Sequence, residues 1–191
     1  MHTTKAVKKI AIIGAGNVGK VLGYALKQKG YVPVAATART AASRKTAAAL
    51  LQCPVYSEPE KAAQQADIVF LTTPDRVIKE VCDALALKGV FHRGQVVLHT
   101  SGAHSSEILS TAREAGANVF SFHPLQTFPG VEAGLRALPG TFFAVEGEQE
   151  AFWVAEEMVA ALGGKMLTIP TEMKPLYHAA ACVACNYLST L

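Results

Sequence analysis

The sequence predicts an α/β fold, with a doubly wound, mostly parallel sheet followed by the start of an all-α part, and three observations predict it. Short β-rich runs alternate with helical stretches from Lys9 to Ile169. A glycine-rich turn, Gly14-Ala15-Gly16-Asn17-Val18-Gly19, joins the first strand to the first helix. After Pro170 the alternation stops, and a glycine-free stretch rich in Ala, Leu and Tyr runs to the last residue.

Taken in order, Lys9–Ile13 reads as a strand closed by Gly14, and residues 18–29 as a helix stopped at Gly30. Val32–Thr37 is a second strand. Residues 42–51 form an Ala-rich helix ended by Cys53-Pro54, and Val55-Tyr56 is a short strand. A helical step over 58–65 leads into a strong strand over 67–72. A helix over Asp75–Leu87 and a strand over 95–99 come next. Residues 105–115 read as helix ended by Gly116, and 119–122 as strand. The segment carrying Pro124, Pro129 and several glycines reads as loop. Strand over 141–145, helix over 148–162 stopped by Gly163-Gly164, and strand over 165–169 complete the alternation. Residues 173–191 read as one long helix that reaches the chain end with no cap signal. The expected division is therefore residues 1–170 as the sheet domain and residues 171–191 as the first helix of a truncated helical domain.

Composition narrows the function class. The chain has 191 residues, of which 50% are hydrophobic and 17% charged, with a formal net charge of +3. So small and dispersed a basic excess argues against a nucleic-acid partner. Lys5, Lys8 and Lys9 precede the apolar run Ile10-Ala11-Ile12-Ile13, which is too short for a secretory signal and ends in a glycine turn. No apolar stretch is long enough to span a bilayer, so the expectation is a soluble, cytoplasmic protein with no membrane partner. Cys53, Cys82, Cys182 and Cys185 do not form the framework of a small secreted domain. The Cys182-x-x-Cys185 spacing, lying in a helical segment with no second pair, reads as two small apolar helix residues rather than a redox or metal site.

The glycine turn fits G-x-G-x-x-G in the strand–turn–helix context that gives the pattern meaning. Gly14 suits the tight turn, Gly16 the approach of backbone to a pyrophosphate, and Gly19 close packing of helix on strand. Ala15, Asn17 and Val18 complete the loop, and the free N–H groups at the helix start favour phosphate. The pattern predicts a Rossmann-type dinucleotide site. An NAD site usually places a carboxylate at the end of the second strand. Here that position reads Thr37-Ala38-Arg39-Thr40, with Ser43 and Arg44 beyond. An acid would repel a 2′-phosphate, whereas an arginine forks to it, so Arg39 and Thr40 point to NADP(H) in preference to NAD(H). Thr73 and Pro74, at the carboxyl end of the fourth main strand, are expected to line the wall beside the nicotinamide ribose. Asp75 reads equally as a helix cap or as a site residue.

Candidates for chemistry cluster in three places. His99-Thr100-Ser101-Gly102-Ala103-His104 follows one strand, and Ser121-Phe122-His123-Pro124-Leu125-Gln126-Thr127-Phe128 follows the next. Lys174 and His178 share a face of the last helix, with Asn186 at its margin. Hydride transfer to C=O or C=N needs a nearby proton donor, which His supplies near neutral pH and Lys supplies when burial lowers its pKa. Ser101 and His123 are expected to position substrate and nicotinamide, and Lys174 or His178 to move the proton. His99, at the end of an apolar strand, reads as a satisfied core residue.

With these strings in hand, the chain resembles the predicted NADP oxidoreductases that join a Rossmann-like domain to a C-terminal helical domain of unknown function. HTSGA at 99–103, SFHPLQTF at 121–128 and KPLYHAAA at 174–181 are the discriminating motifs. The resemblance implies a fold shared with pyrroline-5-carboxylate reductase, prephenate dehydrogenase and the 6-phosphogluconate and β-hydroxyacid dehydrogenases. It also implies a homodimer formed through the C-terminal helices. His123-Pro124 is similar to the His-Pro pair of prephenate dehydrogenases near the nicotinamide. β-Hydroxyacid dehydrogenases have Asn four residues after the catalytic Lys, where this sequence has His178, so Asn186 is the residue left to supply an amide. The expected activity is NADP(H)-dependent hydride transfer to or from a small carbonyl, imine or hydroxyacid. A non-catalytic NADP(H)-sensing module and a deazaflavin-dependent reductase are the rivals.

Overall fold

The computed structural model describes residues 8–184. Its strands are β1 (Lys9–Ile13), β2 (Val32–Thr37), β3 (Val55–Tyr56), β4 (Ile68–Leu71), β5 (Val96–His99), β6 (Asn118–Pro124), β7 (Phe142–Gly147) and β8 (Lys165–Thr168). They form one sheet in the order β3-β2-β1-β4-β5-β6-β7-β8. Pairing is parallel from β3 through β6, antiparallel between β6 and β7, and parallel again between β7 and β8. Chain order reverses on either side of β1, which opens a crevice between the carboxyl ends of β1 and β4.

The helices are α1 (Asn17–Lys27), α2 (Ala41–Leu51), α3 (Pro59–Ala63), α4 (Asp75–Leu87), α5 (Ser110–Glu114), α6 (Val131–Ala137), α7 (Phe152–Ala161) and α8 (Lys174–Cys182). Alternation along the strands sorts them into two layers. Ile10 and Ile12 face one side, where Val21, Leu22 and Leu26 of α1, Leu51 of α2 and Met158 of α7 close the core. Ala11 and Ile13 face the other, where Ala62 of α3, Ile78 and Cys82 of α4 and Ala112 of α5 pack. Both faces of the strands are buried, which is why they read as continuous apolar runs. Among the described residues no helix is long and apolar enough to cross a membrane.

Three elements depart from the sequence expectation. The helix expected over 105–115 splits into a 3₁₀ turn, Ser106–Leu109, and α5. At the start of that turn the Ser106 N–H and hydroxyl are both held by the Glu146 carboxylate on β7. The helix expected from 148 begins only at Phe152, after a 3₁₀ turn over Gln149–Ala151. The segment read as loop after Pro124 contains α6, which packs across α1. The long final helix begins at Lys174 and is described as α-helix to Cys182; Cys185 and Asn186 lie outside the described residues.

Candidate active site

The crevice is a cleft of about 710 Å³ at the carboxyl ends of β1, β2 and β4, walled also by α2 and α4. Its floor is the glycine turn, and the three glycines there have three different surroundings. Gly14 has φ +96° and lies so close to Thr73 that a Cβ would come within 2.9 Å of its backbone nitrogen. Gly19 sits against β1 and β4, where a Cβ would lie 2.5 Å from Thr72 Oγ1 and 2.8 Å from the Gly14 carbonyl. Gly16 faces open space, with nothing within 4 Å of where its Cβ would stand. The turn is pinned from β2 and β4: Gly14 N–H donates to Thr37 Oγ1 (3.0 Å), Ala15 N–H to the Thr37 carbonyl (2.7 Å), and Thr72 Oγ1 to the Gly14 carbonyl (2.8 Å). Among the described residues no side chain caps the start of α1, and its first turn carries no acid, so the N–H groups of Asn17 and Val18 are left for an anion.

At the end of β2, Arg39 and Thr40 line the cleft and are exposed. The Arg39 guanidinium makes no hydrogen bond or ion pair among the described residues. Arg44 has another role: its Nη1 donates to the carbonyls of Ala38 (3.1 Å) and Arg39 (2.7 Å) and holds the loop in place. Thr40 is the N-cap of α2, accepting from Ser43 N–H at 3.1 Å and donating to Ser43 Oγ at 2.8 Å. Its hydroxyl is therefore engaged, and Ser43 presents the adjoining hydroxyl to the cleft. Thr40→Val is expected to remove that cap and to destabilise the fold by about 1 kcal/mol, read as a shift of the urea midpoint. On the opposite wall are Thr73 and Pro74, and the buried Thr73 Oγ1 has no hydrogen-bond partner among the described residues. The uncapped helix start, the space at Gly16, the unpaired Arg39 and the orphaned Thr73 hydroxyl all fit a phosphorylated dinucleotide.

Beyond the inner end of the cleft lies the polar cluster. Asp75, the first residue of α4, accepts from Ser101 Oγ at 2.7 Å. Ser101 Oγ also accepts from the N–H groups of Ala103 and His104, both at 3.1 Å, so this hydroxyl shapes its own loop. His99 is fully buried at the end of β5. Its Nδ1 accepts from Ser101 N–H (3.1 Å), which assigns the proton to Nε2, 3.1 Å from the Ser105 carbonyl. Burial, with the Lys174 cation nearby, pushes the His99 pKa down to about 3.

Helix α8 brings Lys174, Tyr177 and His178 onto this cluster. Lys174 is fully buried and its ammonium donates to Ser121 Oγ on β6. Burial lowers its pKa to about 8, against the opposing pull of Glu146 and Asp75. The Tyr177 hydroxyl is 2.8 Å from His123 Nδ1, and the Lys174 Nζ lies 5.7 Å from the Tyr177 ring centre. Burial, then Lys174 and His178, push the His123 pKa down to about 4, so this imidazole is neutral at physiological pH. His178 Nδ1 is buried without a partner among the described residues, and its Nε2 lies 3.6 Å from Cys182 Sγ. Gly102 separates the two histidines: a Cβ there would lie 2.7 Å from both His123 Nε2 and His178 Nδ1.

Of the residues singled out in the sequence, Lys174, His178, His123 and Ser101 are thus assembled in one cluster beside the cleft, whereas Asn186 lies outside the described residues. Glu146 and Tyr177 were not singled out. Tyr177 has a visible signal, since its spacing of three from Lys174 shares the helix face. Glu146 stands in an apolar strand, and nothing local marks its burial.

Comparison with known proteins agrees with this architecture. A B. fragilis (Bacteroides fragilis) protein assigned as an NADP oxidoreductase is 20% identical, with a TM-score of 0.82 over 96% of this chain and 69% of that one. Pyrroline-5-carboxylate reductase from Coxiella burnetii is 17% identical, with a TM-score of 0.76 over 96% of this chain and 67% of that one. Prephenate dehydrogenase from Aquifex aeolicus is 16% identical, with a TM-score of 0.74 over 94% of this chain and 66% of that one. At these identities the likeness is one of fold, and the chain spans about two-thirds of each structure's length. No curated protein sequence matches. A Rossmann-like domain profile matches residues 2–124, and a domain of unknown function, DUF2520, matches residues 141–191. The chain belongs to the family defined by that Rossmann-like domain, here followed by DUF2520.

Proposed function

We propose that the chain is the cofactor-binding part of an NADP(H)-dependent oxidoreductase acting on a small carbonyl, imine or hydroxyacid. The observation that carries this reading is the cleft whose floor is the glycine turn and whose rim holds an unpaired arginine where NAD sites place a carboxylate. The turn and the first N–H groups of α1 hold the diphosphate. Arg39, with Ser43 beside it, holds the 2′-phosphate, and Thr73 and Pro74 flank the nicotinamide end. When bound, the cofactor supplies or accepts the hydride. Lys174 or His178 then exchanges a proton with the substrate oxygen or nitrogen, while His123 orients the Tyr177 hydroxyl beside them. The names of the fold relatives, which include reductases and dehydrogenases, support the class of reaction. Residues 171–191 belong, in this reading, to a helical domain that completes the substrate site and pairs two copies of the protein.

Parallel titrations with NADPH and NADH, followed by cofactor fluorescence, test the cofactor. NADPH is expected to bind at least about tenfold tighter, a difference of about 1.4 kcal/mol, and Arg39→Ala to erase the preference. Equal affinities in the unsubstituted protein would overturn the assignment. For the chemistry, Lys174→Met is expected to lower NADPH oxidation by about 100-fold or more across a panel of cyclic imines and 2-oxoacids, with NADPH affinity retained. Undiminished turnover would remove Lys174 from proton transfer.

A further inference from the structure

Glu146 is a fully buried carboxylate on β7, one strand in from the edge of the sheet. A carboxylate taken out of water persists as a charge only when hydrogen bonds and a counter-charge replace the solvent. Here the hydrogen bonds come from two directions. Ser106 N–H and Ser106 Oγ, the latter at 3.2 Å, donate from the turn after β5, and Thr171 Oγ1 donates at 2.9 Å from the segment that leads into α8. The counter-charge is set by register. Glu146 pairs directly with Ser121 across β6 and β7, so both side chains stand on one face of the sheet, and Ser121 Oγ receives the Lys174 ammonium. Arg113 also feels the Glu146 charge, but its own ion pairs are with Glu107 (2.9 Å) and Glu148 (3.2 Å).

We propose that Glu146 is a positioning residue for Lys174: through Thr171 it fixes the start of α8 over the sheet, and through its charge it keeps the buried ammonium protonated beside Ser121. The inference rests on the reading of Lys174 as the group that handles the proton. The other titratable groups around Lys174 are Asp75 on α4, His99 on β5, His123 on β6 and Tyr177 and His178 on its own helix, with His104 in the loop beyond His99. Burial opposes the charge on this lysine, while Glu146, followed by Asp75, sustains it. Without Glu146 the lysine would lose the larger of its two carboxylate supports and the tie that fixes where its helix begins.

The test follows the Lys174 side-chain nitrogen by NMR of 15N-lysine-labelled full-length protein, with Lys174→Met to assign the resonance. Glu146→Gln keeps the shape, leaves an acceptor for Ser106 N–H and can donate to the two hydroxyls, but removes the charge. Its Lys174 titration midpoint is expected to fall by about one pH unit, a tenfold loss of proton affinity. Glu146→Asp keeps the charge and withdraws it by one methylene, and a shift in the same direction but smaller is expected. An unmoved midpoint in whichever variant folds would overturn the proposal. So would failure of both to fold, which would mark Glu146 as a support of the core alone. A moved midpoint in a protein that binds no NADPH would leave the Glu146 assignment standing and refute the oxidoreductase reading.

Discussion

Between pH 6.5 and pH 4 the folded protein is expected to lose stability steeply, with His99 and His123 responsible for several kcal/mol of the loss. Both imidazoles have an ordinary value of 6.5; burial lowers it to about 3 for His99 and about 4 for His123. Over that window the unfolded chain binds more protons than the folded one, so stability falls as the pH falls. Their contribution is intact above 6.5 and disappears as the pH drops toward the folded values. At about 1.4 kcal/mol per pH unit, each accounts for on the order of 3 kcal/mol by pH 4. The direct measurement is urea unfolding at about pH 7 and about pH 4.5, for the natural sequence and for His99→Asn and His123→Gln. Asn at position 99 can still accept from Ser101 N–H but has nothing to protonate, so the difference between the two pH values should shrink in each variant. An unchanged difference in both would show that these rings are charged in the folded state.

The second large effect separates two glycines of one turn. Gly16→Ala is expected to leave the melting temperature in place and to weaken NADPH binding by at least about tenfold. Its Cβ enters empty cleft space and meets no protein atom within 4 Å, so it obstructs only the diphosphate. Gly19→Ala should lower stability by about 1–3 kcal/mol. There the Cβ would lie 2.8 Å from the Gly14 carbonyl, a backbone atom, and 2.5 Å from Thr72 Oγ1, so α1 must move off the sheet. Thermal melts and cofactor titrations on both variants read the contrast. If Gly16→Ala destabilised the protein and bound NADPH normally, the diphosphate would not lie over the turn.

The sequence revealed those parts of the fold whose cause is local. β1, β2, β3 and α4 were legible to the residue, because glycine, proline and strand-forming residues punctuate them. Helix α6 was hidden by Pro129-Gly130 before it and by Gly134 within it. That glycine exists because α6 crosses α1 so closely that a Cβ would stand 2.7 Å from Val21 Cγ2 and 2.8 Å from Phe128 Cδ1. A helix breaker by propensity is here a packing requirement. The site shows the same division. The spacing of Lys174 and His178 predicted a shared helix face, and the structure puts them against Ser121 and Gly102. Thr40 was legible as a cleft residue, but its place before Ala41-Ala42 is also an N-cap signal, and that is the role its hydroxyl takes. Glu146 was not legible, because its partners Ser106 and Thr171 are 40 and 25 residues away. The reversal at β7 was not legible either, since a buried strand has the same pattern in both directions.

That reversal decides which way the last helix travels. β8 runs with β7, opposite to β1–β6, and Thr168 finishes beside Val145, which pairs with Phe122 on β6. The chain therefore leaves the sheet part-way along β6 and heads back toward the cleft, with Lys174 at Ser121 and, three residues later, Tyr177 at His123. A β7 and β8 parallel to the rest would have released the chain at the cleft mouth, with its helix returning along the sheet away from the polar cluster. One antiparallel strand thus turns an exit into an approach, and it delivers three polar side chains in sequence along a single rising path.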